Sequence, residues 1–475
     1  MIRIWIFAIV ATVFALTPVR ASDTTFTLVG TSEKVCQLNG DTDWKTGLPT
    51  AAQTATNFGM YAADLGAPVD TGGSTLYFLF GDTWPSFPPP PVAVKPPNDS
   101  VGTSTLTTTP GSNTCLDLQI ATVPSSTPPT FAPPVVTPTI DQGSFNVPSG
   151  GVYADPSLYV FFWTKHCDHP SLLVPLPSDP LKRPMATSGT GGAPDCSEKA
   201  KLNSIGISVL GQSAGTSDVA FNTPTGVTMP SGFVYVNAVD ATHKPNLAPK
   251  DQRKGVFITG VPRYRASVPY LAYSSAANLA DPSNWMFFNG LVGDAANWIT
   301  YTTWESYHDM AGRWGPPSSG AQLYSATTSE ECIGEHSLSW NAPLDAWLLL
   351  YNCKGYGIEA RYARAPWGPW SDPIVLLSTT HDPGIYCTLI MSSSGCGTLT
   401  NYQPLKKDGS YTSGGLYAPF VLSRFTEDAS PHCYPHKDKP VGLIVSCTNI
   451  YWLVSTWNPY LVVVMKSTLM MTTFR

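Results

Sequence analysis

The sequence predicts an all-β protein, a five-bladed β-propeller. Helical periodicity is nearly absent. Short runs rich in Val, Tyr, Phe, Leu and Trp alternate with Gly, Pro, Asn and Asp, which is the signature of strands and turns. One pattern then returns five times: a segment with Gly or Ser leads into a strand, a tight turn and an aromatic strand. The spacing is irregular, roughly 50 to 110 residues, which brackets one blade plus its loops. A β-sandwich is the competing architecture, but one sandwich rarely needs this many strands. Radial blades would use the whole chain and leave few exposed edges.

The occurrences run in order along the chain. The first joins Asp64–Val69 to Thr75–Phe80, and the second is Val147–His166. The third is Lys254–Ser275 and the fourth Gly334–Trp370. The fifth combines Gly414–Glu427 with Asn449–Leu469. Between them lie Pro-rich stretches, clearest at Ser86–Pro97 and Thr122–Thr139. Proline cannot serve a central strand, so these read as surface loops inside one domain. Read as linkers, they would cut the series into pieces too small to close.

The first residues point to export. Arg3 precedes an apolar run from Ile4 to Leu16 broken only by Thr12, and Val19-Arg20-Ala21 supplies a cleavage site. That is a secretory signal peptide over residues 1–21, followed by a single domain over 22–475. The run is short for a bilayer span, so a secreted protein, extracellular or periplasmic, is expected rather than an anchored one. All ten cysteines follow the signal, and an even count in an exported chain favours disulfides. Neighbouring cysteines suggest Cys167/Cys196, Cys332/Cys353, Cys387/Cys396 and Cys433/Cys447, leaving Cys36 for Cys115.

A formal charge of −6 argues against nucleic acid. Charged residues make up 13% of the chain, about half the usual share. Fourteen Trp and twenty-one Tyr beside so few charges suit a neutral polyhydroxylated ligand, because a ring stacks on the apolar face of a sugar; most of these rings nonetheless belong to the core. Asn98-Asp99-Ser100 is a glycosylation sequon.

The candidate chemistry sits in the first hairpin. Asp64 precedes the Asp70–Ser74 turn and Asp82 follows it. A hairpin returns the chain to its starting edge, so both carboxylates reach the same open end on adjacent strands. With strands about 4.8 Å apart the two lie within about 5–10 Å. Like charges that close repel, pushing one pKa up and leaving an acid beside a base. Glycoside hydrolysis needs that pair. Asp-Leu-Gly and Gly-Asp-Thr are also common turn chemistry, so a capping role stays open.

Six stretches in order carry a family resemblance: "AADLGAPV…GGSTLYFLFGDTW", "VPSGGV…LYVFFWTKH", "YRASVPYLAY", "HSLSWNAPLDAWLLLYN", "APWGPWSDP" and "YAPFVLSRF…STWNPYLVVVMKS". Together, from about Asn57 to Leu469, the chain resembles a family of secreted glycoside hydrolases, the endo-D-arabinanases. These cut the D-arabinofuranose chains of mycobacterial arabinogalactan and lipoarabinomannan. The resemblance implies a five-bladed propeller with two catalytic aspartates in the first blade, falling on Asp64 and Asp82, and an inverting reaction. Which of the two is the acid is not assigned. The Pro-rich insert after Trp84 and the Cys-rich loops at Asp168–Cys196 and His381–Cys396 depart from the pattern. They bear on the cleft and the substrate more than on the chemistry.

Other residues share the same mouth if successive blades present equivalent edges there. Glu335 and His336 open the fourth hairpin pair, His166 ends the second, Arg263 and Arg265 lie on the third and Asn352 on the fourth. Arg265 is the favoured arginine, since a guanidinium beside two carboxylates holds one ionised. Asn458 and Tyr460, in the fifth hairpin's turn, are candidate donors to sugar hydroxyls, against ordinary Asn-Pro turn chemistry. Trp84 is the expected stacking platform. The "HCDH" and "HCYPH" stretches lack a second half at zinc spacing, so no metal site is assigned. No cofactor is called for, although Ca²⁺ on the propeller axis stays open. No phosphate loop occurs, and although Gly211-Gln212-Ser213-Ala214-Gly215 matches Gly-x-Ser-x-Gly, nothing else in the sequence supports a serine hydrolase.

The expected function is a secreted glycoside hydrolase acting on D-arabinan-like furanoside polysaccharide through two aspartates. Its partner is the polysaccharide, with no nucleic acid and no membrane, and a monomer is expected. The competing class is a non-catalytic carbohydrate-binding propeller, whose aspartates only accept hydrogen bonds from sugar. An esterase or lyase using the same carboxylates ranks lower.

Overall fold

The computed structural model describes residues 24–86, 98–111, 114–124, 126–132, 135–137, 146–164, 204–209, 220–222, 229–242, 244–249, 254–262, 267–307, 315, 320–324, 332–353, 357–378, 416–433, 440–457 and 460–474. Among them the chain is all-β, and its α-helices have at most five residues. None of the described helices is long and apolar enough to cross a membrane. The signal peptide, Arg263, His166, Arg265, Asn458 and the pairs Cys167/Cys196 and Cys387/Cys396 lie outside the described residues.

The strands fall into five open sheets. The chain starts with β1 (Thr24–Gln37). The first sheet follows in sequence order: β2 (Ala62–Asp70), β3 (Leu76–Trp84), β4 (Asn98–Ser104) and β5 (Gln119–Ile120). The second holds β6 (Val135–Thr137), β7 (Asn146–Ala154), β8 (Ser157–Thr164), β9 (Ser204–Val209) and β10 (Ala220–Asn222). Its order is β7-β8-β9-β10-β6, with β6 parallel to β10. The third runs in order through β11 (Tyr235–Asp240), β12 (Gly255–Val261), β13 (Tyr270–Ser275), β14 (Met286–Val292) and β15 (Ala295–Thr300). The fourth is β16 (Ile333–Asn341), β17 (Ala346–Cys353), β18 (Gly357–Ala363) and β19 (Ile374–Ser378). The fifth takes β20 (Leu416–Val421), β21 (Glu427–Asp428), β22 (Leu443–Trp457) and β23 (Tyr460–Phe474), and β1 joins it along β23. The third repeat of the sequence thus falls on β12 and β13, the middle of its sheet, because the strand that opens that sheet is β11.

One strand from each sheet faces its neighbours. Contacts pass from β2 to β7, β7 to β11, β11 to β16, β16 to β20, and from β20 back to β2. Buried Ser and Asn side chains tie these junctions. Ser149 Oγ accepts from the Val236 amide at 3.4 Å, and Asn237 Oδ1 from the Leu338 amide at 3.0 Å. Ser337 Oγ donates to the Pro419 carbonyl at 2.9 Å, and Ser455 Oγ to that of Leu65 at 3.3 Å. A buried polar group is stable only when bonded, so each tie fixes one sheet's height on the next. Between the ties the sheets pack through apolar side chains. Phe161 of the second sheet meets Trp285 edge-on, and Trp285 belongs to a cluster with Phe233, Phe287 and Trp304 around the third sheet, in arrangements that suit ring quadrupoles.

Three disulfides are formed among the described residues: Cys36–Cys115, Cys332–Cys353 and Cys433–Cys447. The first closes a loop of sequence separation 79 and ties β1 to the first sheet's last loop. Its removal in a Cys36→Ala/Cys115→Ala variant is expected to cost about 2–4 kcal/mol by releasing that loop in the unfolded chain. A denaturant midpoint compared with wild type measures it, and an unchanged midpoint would contradict it.

Candidate active site

The junction ties match Ser149 of β7 to Val236 of β11, Asn237 of β11 to Leu338 of β16, Ser337 of β16 to Pro419 of β20, and Tyr417 of β20 to Asp64 of β2, so Asp64, Tyr417 and the N-terminal part of β16 lie toward one end of the molecule. Asp64 is the third residue of β2. Asp82 lies near the end of β3, one residue past Gly81, the register partner of Asp64. The hairpin therefore carries both carboxylates to one end, as its return direction requires.

The backbone there is irregular. Register shifts fall between Ala62 and Asp64 and between Leu65 and Ala67 on β2. Another separates Phe80 from Thr83 on the β3–β4 edge. Leu65 (φ 59°) and Asp82 (φ 32°) hold left-handed conformations that side chains rarely adopt. Each costs of order 1–3 kcal/mol, and such strain clusters at functional sites. Bulges of this kind re-aim side chains that strict alternation would send to opposite faces. A Cβ at Gly81 would lie 2.8 Å from Asp64 Oδ1, so a larger residue there would displace the carboxylate. The glycines that read as turn chemistry in the sequence serve bulges inside strands.

Two tyrosines from the fifth sheet meet the pair. Tyr417 on β20 donates its hydroxyl to Asp64 Oδ2 at 2.7 Å, and Tyr460 at the start of β23 donates to Asp82 Oδ2 at 3.2 Å. Ala418, next to Tyr417, is again left-handed (φ 55°), beside a register shift between Tyr417 and Phe420. Burial, then the charge of Asp64, holds the Tyr417 hydroxyl well above its ordinary value of 10.0, with Tyr460 and Asp82 acting in the same sense. Tyr417 is therefore a neutral donor. The carboxylates are 7% and 6% exposed, and the tyrosines 6% and 4%.

Tyr417 was not singled out from the sequence. The available signal was Pro419 two residues on, because proline inside a strand marks a bulge or an edge.

The remaining expectations divide. Glu335 is buried on β16, at the register shift between Ile333 and His336, and Asn352 on β17 lies opposite that shift. Asn352 is fully buried, and among the described residues neither atom of its amide has a hydrogen-bond partner, an arrangement native interiors seldom keep. Trp84 does not offer the open stacking face expected of it. It is 4% exposed, packed in the core with its ring 6.5 Å from that of Tyr460. His336 does not offer a free ring nitrogen: Nδ1 bonds the Gly334 carbonyl and Nε2 the Thr259 hydroxyl, each at 2.9 Å. Its ring is wholly enclosed, so its placement is that of a fold residue.

Burial pushes the His336 pKa down to about 4, from an ordinary 6.5. The folded state thus binds its proton more weakly than the unfolded state. The neutral ring's contribution is complete above pH 6.5 and is lost as pH falls toward 4, up to roughly 3 kcal/mol. A His336→Gln variant is expected to show a flatter stability profile between pH 6.5 and 4. Parallel profiles for the two proteins would contradict this.

Fold and site define a class: a multi-sheet all-β protein with an aspartate pair at the mouth of one hairpin, held by tyrosines from another sheet. The chain belongs to the family described as a domain of unknown function (DUF4185), whose model matches residues 220–466, just over half of the chain. That span contains Tyr417 and Tyr460 but not Asp64 and Asp82. No curated protein matches the chain. Similar solved structures include the GH43_1 enzyme from Xanthomonas citri, at 10% identity over 86% of this chain and 87% of that one, TM-score 0.35. Another is an N-acetylgalactosamine deacetylase from F. plautii, at 10% identity over 92% and 95%, TM-score 0.36. A third is an exo-beta-1,3-galactanase from Phanerochaete chrysosporium, at 9% identity over 92% and 100%, TM-score 0.30. With TM-scores this low, the functional argument rests on the chain's own residues.

Proposed function

We propose that the protein is a secreted glycoside hydrolase that cleaves a D-arabinan-like furanoside polysaccharide, with Asp64 and Asp82 as its acid/base pair. In this reading the five sheets are the blades of a propeller, supported by the ring of contacts through β2, β7, β11, β16 and β20. The observation that carries the reading is the paired anchoring of two carboxylates from one hairpin by two tyrosines from another sheet, on strained backbone. Strain of that kind is maintained where side chains must be aimed. Glu335, on the facing strand β16, lies toward the same end as the pair. The substrate class rests on the resemblance of the six sequence stretches.

In the inverting reaction, one aspartate gives its proton to the leaving glycosidic oxygen. The other takes a proton from the water that attacks the anomeric carbon. The test is incubation of the secreted protein with mycobacterial arabinogalactan, with oligosaccharide release followed by chromatography. Released oligosaccharides support the hydrolase. Retention of the polysaccharide without release would replace it with a carbohydrate-binding protein.

A further inference from the structure

Resting on the hydrolase reading, we propose that Tyr417 is a positioning residue that keeps Asp64 ionised, which makes Asp64 the base and Asp82 the proton donor.

The two tyrosine contacts are unequal. A hydroxyl donating to a carboxylate at 2.7 Å is in the range of strong charge-assisted bonds, whereas 3.2 Å is long for one. Donation favours the charged form, so the stronger bond belongs to the carboxylate that stays ionised. Tyr417 cannot reverse the relation by taking a proton, since it is already protonated throughout the working pH range. Nor can it turn away freely: its neighbour Ala418 holds a left-handed backbone, and Ser337 clamps the rest of β20 through the Pro419 carbonyl and the Val421 amide.

Other titratable groups surround this centre. Among the described residues of the strands packed against β2 and β20, β16 brings Glu335 and His336, β17 brings Tyr351, β18 brings Glu359, Arg361 and Tyr362, β7 brings Tyr153, β22 brings Tyr451, and β23 brings Tyr460 and Lys466. On the hairpin itself Asp70 and Tyr77 lie toward the opposite, turn end.

The reaction then balances as follows. Asp64 takes one proton from water as the water oxygen's lone pair bonds the anomeric carbon. The glycosidic C–O bond breaks, its electron pair stays on the leaving oxygen, and Asp82 supplies the proton that neutralises it. Solvent returns the proton from Asp64 to Asp82 between turnovers.

The test compares pH profiles of kcat/KM for wild type, Tyr417→Phe and Tyr460→Phe on the polysaccharide. In a bell-shaped profile the acid limb reports the base and the alkaline limb the acid. Tyr417→Phe is expected to move the acid limb up by about one to two pH units and leave the alkaline limb in place. Tyr460→Phe is expected to move the alkaline limb by less. A second readout is an aryl furanoside whose leaving group needs no protonation. It is expected to restore turnover in Asp82→Asn and not in Asp64→Asn, whether or not the tyrosine variants fold. Carboxyl ¹³C titration of wild type, expected to show Asp64 ionising below Asp82, needs no turnover at all. An acid limb unmoved in folded Tyr417→Phe, aryl rescue of Asp64→Asn, or Asp82 ionising first would each overturn the assignment. Wild type that releases no product would instead sink the hydrolase reading on which it rests.

Discussion

Asp64→Asn and Asp82→Asn are each expected to lower oligosaccharide release from arabinogalactan by about 10²–10⁴ or more, with the fold intact. General acid and general base catalysis each contribute on that scale. Asparagine keeps the shape of the side chain and can still accept the tyrosine's hydrogen bond, so the bonds to Tyr417 and Tyr460 at 2.7 and 3.2 Å need not break. What it cannot do is carry or release a proton near neutral pH. Asp64→Asn also removes from strained, nearly buried surroundings a charge that is costly to desolvate, and Asp82→Asn exchanges a protonated acid for a neutral amide. The variants are therefore expected to unfold at or above the wild-type midpoint while losing activity. That opposite movement separates a catalytic role from a structural one. If both substitutions lower stability and leave product release unchanged, the aspartates are bulge-capping residues and the catalytic reading is wrong.

Removal of residues 24–37 is expected to abolish cooperative folding. β1 pairs with β23 from Thr24↔Thr473 to Gln37↔Val463, so the first and last described strands share one sheet. It also reaches the fourth sheet. Ser32 Oγ bonds the Leu376 carbonyl at 2.9 Å, and the Phe26 ring lies 4.9 Å from that of Tyr362. Through Cys36 it is joined to the first sheet. Just beyond it, Asn39 donates to the Tyr460 carbonyl at 3.0 Å and accepts from the Val462 amide at 2.7 Å, which steadies the tyrosine that bonds Asp82. Each ladder bond is worth about 1 kcal/mol net. Their sum, with the lost disulfide, is comparable to the whole stability of a domain, about 5–15 kcal/mol. The deletion would also bare β23 as a long apolar edge, which invites association with other chains. Thermal unfolding and size-exclusion chromatography measure both effects. A monomer with an unchanged midpoint would show that the pairing is dispensable.

Much of the fold was legible in the residues. Turn signals around runs such as "STLYFLF" and "LDAWLLLYN" mark strands because period and propensity are local properties, and both runs form strands. The hairpin logic that brought Asp64 and Asp82 to one end also needed only local geometry. Three cysteine pairs followed from neighbouring spacing or from what that spacing left over. The errors were of a different kind. Trp84 was read as exposed from its place beside Asp82, and His336 as a ligand contact from its place at a strand's start, yet both are buried. Whether a side chain at a strand end faces solvent depends on the sheet packed over it, which a single strand's pattern does not contain.

The sequence by itself determined the strands, the hairpin that carries the aspartates and the cysteines at hand for pairing, because each rests on interactions between near neighbours. The tertiary structure alone decided that Tyr417 meets Asp64 across 353 residues of chain and Tyr460 meets Asp82 across 378. It alone placed β1 against the last strand. Those contacts depend on how sheets stack and on where one strained residue re-aims the next, and neither is written in the period of any one segment.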